Sequence, residues 1–137
     1  MSTYDYENMI TEKTLQNKEV QGLLQSNEHF DLVIVEQFFN DALKGFAAHF
    51  KAPLVLFSSM GLTEWNRECM GVPMQPSINA VSYTRYTNKM RFFQRIWNLY
   101  GTVFDYLYRR YFFYPVQRNY MAKYFPSSMD FDKVLYN

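Results

Sequence analysis

Three observations predict an α/β fold with a parallel sheet. Phe30-Asp31-Leu32-Val33-Ile34-Val35-Glu36 is an apolar run bounded by charges, the pattern of a strand buried on both faces, and such strands belong to parallel sheets. Phe39, Leu43, Phe46, Ala47 and Phe50 then recur at i, i+4, i+7, i+8 and i+11, one apolar stripe of a helix opposite Asp41, Lys44 and His49. A second buried run, Pro53-Leu54-Val55-Leu56-Phe57, follows at once. Strand, helix and strand fit within residues 30–58, close to the size of a βαβ unit.

Ahead of this unit, Leu15, Val20, Leu23 and Leu24 are spaced for a short helix running up to Gln25. After it, periodicity lapses over 63–87, where Gly71, Pro73, Pro76 and Asn79 act as breakers around one helical turn near Glu64 to Glu68. An irregular loop of that length in a compact domain points to function or partial disorder. From about 88 to 114 a long helix takes over, roughly 40 Å at 1.5 Å per residue. Arg91, Arg95, Asn98, Thr102, Asp105 and Arg109 form a narrow polar stripe on it, and the rest is apolar or aromatic. Such a helix expects contact around most of its circumference. The aromatic stripes through Phe92, Leu99, Tyr106 and Phe113, and through Phe93, Tyr100, Phe104 and Tyr111, read as core, and Arg109-Arg110 as a solvated patch. Pro115 ends the helix or restarts it, Met121, Tyr124 and Phe125 close the segment before Pro126, and Phe131, Val134 and Leu135 make a last turn.

Composition narrows the function classes. The chain has 137 residues, 48% of them apolar, enough for one domain with a real core. Fourteen Lys and Arg against 13 Asp and Glu leave a net charge of +1, so no field exists to hold a nucleic acid. Aromatic residues make up 20% of the chain beside only five glycines, and that much ring surface must be packed or covered. Cys69 is the only cysteine, which excludes an intrachain disulfide. Residues 1–10 carry Asp5 and Glu7 and lack the apolar stretch of a secretory signal. Ile96 to Phe104, the longest uncharged run of the aromatic segment, is far short of the ~20 residues a membrane span needs. No signal or transmembrane segment is therefore read in these residues.

Ligands of open α/β sheets bind beyond the carboxyl ends of the strands, which directs attention to Glu36–Phe38 and Ser58–Leu62. The glycines are isolated, so no phosphate-cradling loop and no bound nucleotide cofactor is expected. His29 and His49 have no His or Cys partner at metal-ligand spacing; no metal is expected, and both read as solvated. No Gly-x-Ser-x-Gly elbow frames a serine, and Cys69 has no paired histidine. Glu36 ends a strand where a carboxylate suits an acid, a base or an orienter of a base, or else caps the helix start at Asn40.

The order of motifs also resembles that of UDP-glycosyltransferases, the insect members above all. The likeness runs through Phe30 to Phe38, His49-Phe50-Lys51-Ala52-Pro53 into Ser58-Ser59, Val72-Pro73 with Pro76-Ser77, Tyr86 to Asn98, Tyr114-Pro115 and Tyr124-Phe125-Pro126. It covers nearly everything from Leu15 to Asn137. The resemblance implies a partial Rossmann-like parallel sheet with helices plus a long aromatic helix, with residues 1–137 forming part of the N-terminal, acceptor-side domain of a two-domain GT-B enzyme. Such enzymes transfer a hexosyl group from a UDP-sugar, UDP-glucose or UDP-glucuronate, to a hydroxyl of a small lipophilic acceptor with inversion. A histidine near the mature N-terminus takes the acceptor's proton and an aspartate holds that histidine; the aspartate's place falls on Glu36. Phe38, Ser59, Met60 and Trp65 are the acceptor-side residues the resemblance implies.

The base histidine, the donor-binding domain and the membrane anchor fall outside these residues, so this fragment is expected to bind no donor and to be inactive alone. The full-length family sits on the lumenal side of the endoplasmic reticulum membrane and conjugates xenobiotics. After Pro76-Ser77 the family continues Tyr-Ile/Val-Pro where this chain has Ile78-Asn79, so that loop is shortened by about two residues. The alternative expectation is a non-catalytic truncated homologue that binds a protein or a membrane surface, with Arg91, Arg95 and Arg109 toward anionic lipid.

Overall fold

The computed structural model describes residues 3–125 and 130–136; Pro126 and Asn137 lie outside the described residues. Two helices, α1 (Thr3–Gln16) and α2 (Lys18–Leu24), stand where one was expected. Asn17 divides them, its side chain accepting the Glu19 amide at 2.8 Å and so starting a fresh helix. Leu15 and Leu24 carry the pair onto the core.

Strands β1 (Val33–Glu36) and β2 (Leu54–Phe57) pair in parallel, Val33 opposite Leu54 and Glu36 opposite Phe57. Between them a 3₁₀ turn (Asp41–Lys44) runs into α3 (Gly45–Phe50). The α/β reading therefore stands as a mostly helical chain carrying a small two-stranded parallel sheet. Burial on both faces, expected from the continuous apolar runs, is not found. Val35 is buried, but Ile34 is 66% exposed, and Val55 and Phe57 are exposed on the same face. Covering both faces of a parallel sheet takes a layer on each side, and the described residues supply one.

Asp41 and Lys44, placed by periodicity on the solvent side, are instead buried as an ion pair, Lys44 Nζ to Asp41 Oδ1 at 2.7 Å. Three residues per 3₁₀ turn align positions i and i+3, and the pairing lets both charges leave water. His49 is half-buried rather than solvated: its Nε2 donates to the Leu24 carbonyl at 2.9 Å, and its ring meets Phe50 and Phe125 edge-on. His29 is exposed, as read.

After α4 (Glu64–Cys69) the chain is irregular up to α5 (Phe92–Tyr108), which continues through a π turn (Arg109–Phe113) into α6 (Tyr114–Tyr124); α7 (Phe131–Tyr136) follows. The helix begins later than expected because Gln94 reaches back to accept the Arg91 amide at 2.8 Å and closes the first turn there. Pro115 stands in the first positions of α6, one residue from the restart the sequence suggests, but the helix runs into it through the π turn without a break. A proline cannot donate to the helical ladder and crowds the carbonyl four residues back; the wider π turn immediately before Pro115 accommodates both defects.

The sidedness of α5 is the reverse of the sequence reading. Asn98, Gly101, Asp105 and Arg109 form the buried face, while Phe92, Phe93, Trp97, Tyr100, Phe104, Tyr106, Tyr111 and Phe112 are exposed. Of the rings read as core stripes, only Phe113 is buried. The inner face holds the irregular segment through its backbone. Asn98 Oδ1 accepts the Val81 amide at 2.8 Å, and its Nδ2 donates to the Pro76 and Asn79 carbonyls at 2.7 and 2.8 Å. A stripe of polar side chains is what an irregular loop needs, because its peptide groups have no strand or helix partners. Gly101 is fitted to the same loop: the Tyr83 hydroxyl donates to its carbonyl at 2.6 Å, and an added Cβ would stand 2.8 Å from that oxygen. The core lies at the other end, where Phe39, Trp65, Phe113, Tyr114, Met121, Phe125, Phe131 and Leu135 meet Leu15 and Leu24. Gln117 ties it together, accepting the Ala42 amide at 3.0 Å and donating to Asn8 at 2.7 Å.

Candidate functional site

The carboxyl ends of β1 and β2 bring Glu36 and Ser59 together, Ser59 Oγ donating to Glu36 Oε1 at 2.5 Å. Both residues are exposed, so Glu36 is a solvated carboxylate oriented by a hydroxyl, and it does not cap the turn at Asn40. The backbone after it turns sharply. Phe39 is held at φ +51°, left-handed for a non-glycine residue, after the Phe38 amide donates to Asn40 Oδ1 at 3.1 Å. That turn drives the Phe39 ring inward against Trp65, 4.2 Å between centroids, and against Phe113.

The five residues singled out in the sequence therefore separate. Glu36 and Ser59 bond to each other, Met60 projects into solvent, Phe38 is half-buried with its ring against Phe39, and Trp65 is a core residue.

Two amides that were given no role in the sequence lie near the strand ends, Gln37 inside the first strand-end segment and Asn66 in α4. Gln37 and Asn66 line a cavity of about 130 Å³ with Leu56, Ser58, Leu62 and Met70. Asn66 Nδ2 donates to Ser58 Oγ and the Gly61 carbonyl, and Gln37 Nε2 donates to Asp41 Oδ1 at 2.9 Å. The remaining oxygens, Gln37 Oε1 and Asn66 Oδ1, are buried with no donor. A space that small suits a hydroxyl or a few waters, each of about 30 Å³, rather than a lipophilic body. The signal in the sequence was position alone, each lying within or just beyond the loops at the strand ends.

A larger groove of about 530 Å³ runs along the free side of β1, lined by Val20, Leu23, Leu32, Ile34 and Phe46, with Glu36 and Asn40 at one end. Its size and apolar walls match small-molecule pockets in general. Behind the site, Arg109 is buried among carboxylates and a phenol. Its Nε donates to Asp105 Oδ2 at 2.8 Å and its Nη1 to Glu68 Oε2 and to the Tyr114 hydroxyl. Arg109 is thus an internal cation rather than part of a solvated patch. Burial alone would lower its pKa, but Tyr114, Asp105 and Glu68 hold it above the ordinary value. Burial, and then Asp41, pushes the Tyr114 phenol well up. Cys69 Sγ lies 3.1 Å from Lys44 Nζ, and burial raises the thiol despite that ammonium. Among the described residues no group of His, Cys, Asp and Glu could hold a metal ion, and no helix is long and apolar enough to cross a membrane.

The fold is that of a partial α/β protein, mostly helical with a small parallel sheet, whose strand ends carry polar groups beside an apolar groove. In sequence the chain is similar to two proteins of the scale insect Dactylopius coccus. It is 36% identical to UDP-glucosyltransferase 2 in a 119-position alignment that covers 81% of this chain and 22% of that protein. It is 35% identical to UDP-glycosyltransferase UGT5 over 77 residues, 56% of this chain and 15% of that protein. The likeness to insect UDP-glycosyltransferases seen in the ordered motifs is borne out by these relatives. The chain spans about a fifth or less of their length. No family model matches the chain, and no solved structure does.

Proposed function

We propose that the chain is part of the N-terminal, acceptor-side domain of a GT-B UDP-glycosyltransferase. The whole enzyme moves a hexosyl group from UDP-glucose or UDP-glucuronate to a hydroxyl of a small lipophilic acceptor, with inversion. The observation that carries this reading is the 36% identity over 81% of the chain to a named UDP-glucosyltransferase. The architecture supports it. A two-stranded sheet with one face bare is marginal by itself, and further strands and helices of a longer polypeptide would cover Val55 and Phe57. In this reading the groove beside β1 takes the acceptor's apolar body. Glu36, steadied by Ser59, accepts a hydrogen bond from a neutral base histidine supplied from outside these residues, which keeps that imidazole placed to take the acceptor's proton, and it then stabilises the imidazolium that results. The donor-binding half is supplied by another domain, the 137 residues alone transfer no sugar, and the whole enzyme works on the lumenal side of the endoplasmic reticulum membrane.

In the full-length polypeptide, Glu36→Gln should lower kcat about 10²-fold or more while leaving the KM for UDP-glucose unchanged. Unchanged turnover would sink the role given to Glu36. Detectable glycoside from the purified 137-residue chain with UDP-glucose and a phenol would refute its inactivity.

One observation favours a second reading, a non-catalytic surface-binding module. Trp97, Tyr100, Phe104, Tyr108 and Phe112 stack along one side of α5 and its π turn, with successive centroids 5.5, 6.4, 6.2 and 5.4 Å apart. Such a ladder suits the interfacial region of a bilayer. Flotation with anionic liposomes tests it, and a chain that stays at the bottom of the gradient removes it.

A further inference from the structure

A recess of about 340 Å³ opens between the irregular segment at residues 83–86 and the outer side of α5, and it shares no lining residue with the groove beside β1. Trp97, Tyr100 and Phe104 line it from the helix, Tyr83 and Tyr86 line it from the loop, and Arg85 is its one charged lining group. The helix rings present near-parallel planes, 35° between Trp97 and Tyr100 and 21° between Tyr100 and Phe104. A wall of this kind takes a flat ring system in offset stacking. Arg85 is exposed and, among the described residues, its side chain makes no ion pair or hydrogen bond. From the buried side Asp105 and Glu64 reach Tyr83 electrostatically, and Arg109 opposes them there.

The lining selects among ligands. A sugar needs acceptors for its hydroxyls, and no carboxylate or amide side chain lines the recess. An organic cation would find rings to sit on but would meet the Arg85 guanidinium. A bilayer surface is flat, and it would leave a concave space between loop and helix unfilled. We propose that the recess binds a planar aromatic carboxylate of about two fused rings. Its rings stack along Trp97 and Tyr100, and its carboxylate pairs with Arg85. The space stands near the lower end of small-molecule pockets, which begin at about 300 Å³, so a flat two-ring body is the size it takes.

Three probes of one shape separate stacking from charge: 2-naphthoate, 2-naphthylmethanol and 2-naphthylmethylammonium, each titrated by calorimetry into the 137-residue chain at pH 7 and low salt. The expected order of affinity is carboxylate, alcohol, ammonium. The carboxylate should lead the alcohol about fivefold, and the lead should vanish in high salt because Arg85 is exposed. Arg85→Gln should bring the acid level with the alcohol while leaving the alcohol's affinity unchanged, and Tyr100→Ala should weaken both about tenfold. Both side chains are exposed, so circular dichroism should match the wild type in each variant. Equal affinity for the three probes, a lead for the ammonium, an acid preference that survives Arg85→Gln, undiminished binding to Tyr100→Ala, or no saturable binding to the folded wild-type chain would each overturn the proposal.

Discussion

Replacing Asn98 by alanine tests the inverted sidedness of α5. The side chain is wholly inaccessible and makes three hydrogen bonds to backbone, one accepted from Val81 and two donated to Pro76 and Asn79. Val81 is 1% exposed, so its amide has no route to water once Asn98 Oδ1 is gone, and an orphaned buried donor costs about 1–3 kcal/mol. Pro76 and Asn79 are half-buried, and their carbonyls can turn toward solvent for about 0.5 kcal/mol each. The expected loss is therefore about 2–4 kcal/mol, a large share of the 5–15 kcal/mol typical of a domain. Urea denaturation measures it, and amide exchange localises it: Val81 should lose protection while Met121 keeps its own. Phe93→Ser is the internal control. Phe93 is 80% exposed, so the change should fall within about 0.5 kcal/mol of zero. Hydropathy alone ranks these two substitutions the other way. If Phe93→Ser costs more than Asn98→Ala, or if Asn98→Ala costs under about 1 kcal/mol with Val81 still protected, the polar face of α5 is not its inner face.

Arg109→Met should cost about 3–5 kcal/mol, because it strands Asp105 and Glu68 beside Tyr114; a thermal shift corresponding to under about 1 kcal/mol would show those carboxylates reach water. Cys69 should react with iodoacetamide at pH 8 about tenfold or more slowly than a free cysteine, since burial favours the thiol over the thiolate; labelling at the free-cysteine rate contradicts its placement. Stability should also fall as pH rises. Both the Cys69 thiol and the Tyr114 phenol have raised native values, so the unfolded chain releases their protons first, from its reference values of 9.0 and 10.0 upward. Their contribution is intact below pH 9, and a denaturation midpoint that climbs between pH 9 and 11 would reverse that sign.

Much of the backbone was legible in the sequence because local patterns decide it. Val33 to Phe57 alternates strand, helix and strand in the order periodicity gives, and Glu64 to Cys69 forms the short turn placed there. Burial was less legible, since it depends on what lies opposite. The charges of Asp41 and Lys44 are buried because they meet each other, and Asn98 because an irregular loop needs donors and an acceptor; neither partner is visible in a helical periodicity. The exposed rings of α5 and the bare face of β1 and β2 follow the hydropathy that asks for cover, but the described residues do not supply it. At the site, Glu36 and Ser59 could be found from strand ends and resemblance. Gln37 and Asn66 could not, because an amide becomes informative only when its oxygen is seen buried without a donor. Trp65, which the resemblance put on the acceptor side, packs its ring in the core 4.2 Å from that of Phe39, which the left-handed turn at Phe39 brings inward.

The π turn ahead of Pro115 also sets the phase of everything beyond it. A buried seam on the continuous helix runs through Asn98, Gly101, Asp105, Arg109, Phe113, Gln117 and Met121, with Tyr114 buried beside it; after the first step of three its steps are of four, and each step of four overshoots a full α-helical revolution by about 40°. A uniform α-helix would let that seam wander round the rod. The wider turn at Arg109–Phe113 takes back part of the drift, so one edge of the rod serves two clients: the loop at residues 76–83 and the core around Met121. Deleting a single residue within that turn would rotate Gln117 and Met121 by about 100° relative to Asn98, and the two halves of the molecule would no longer face the same helix edge.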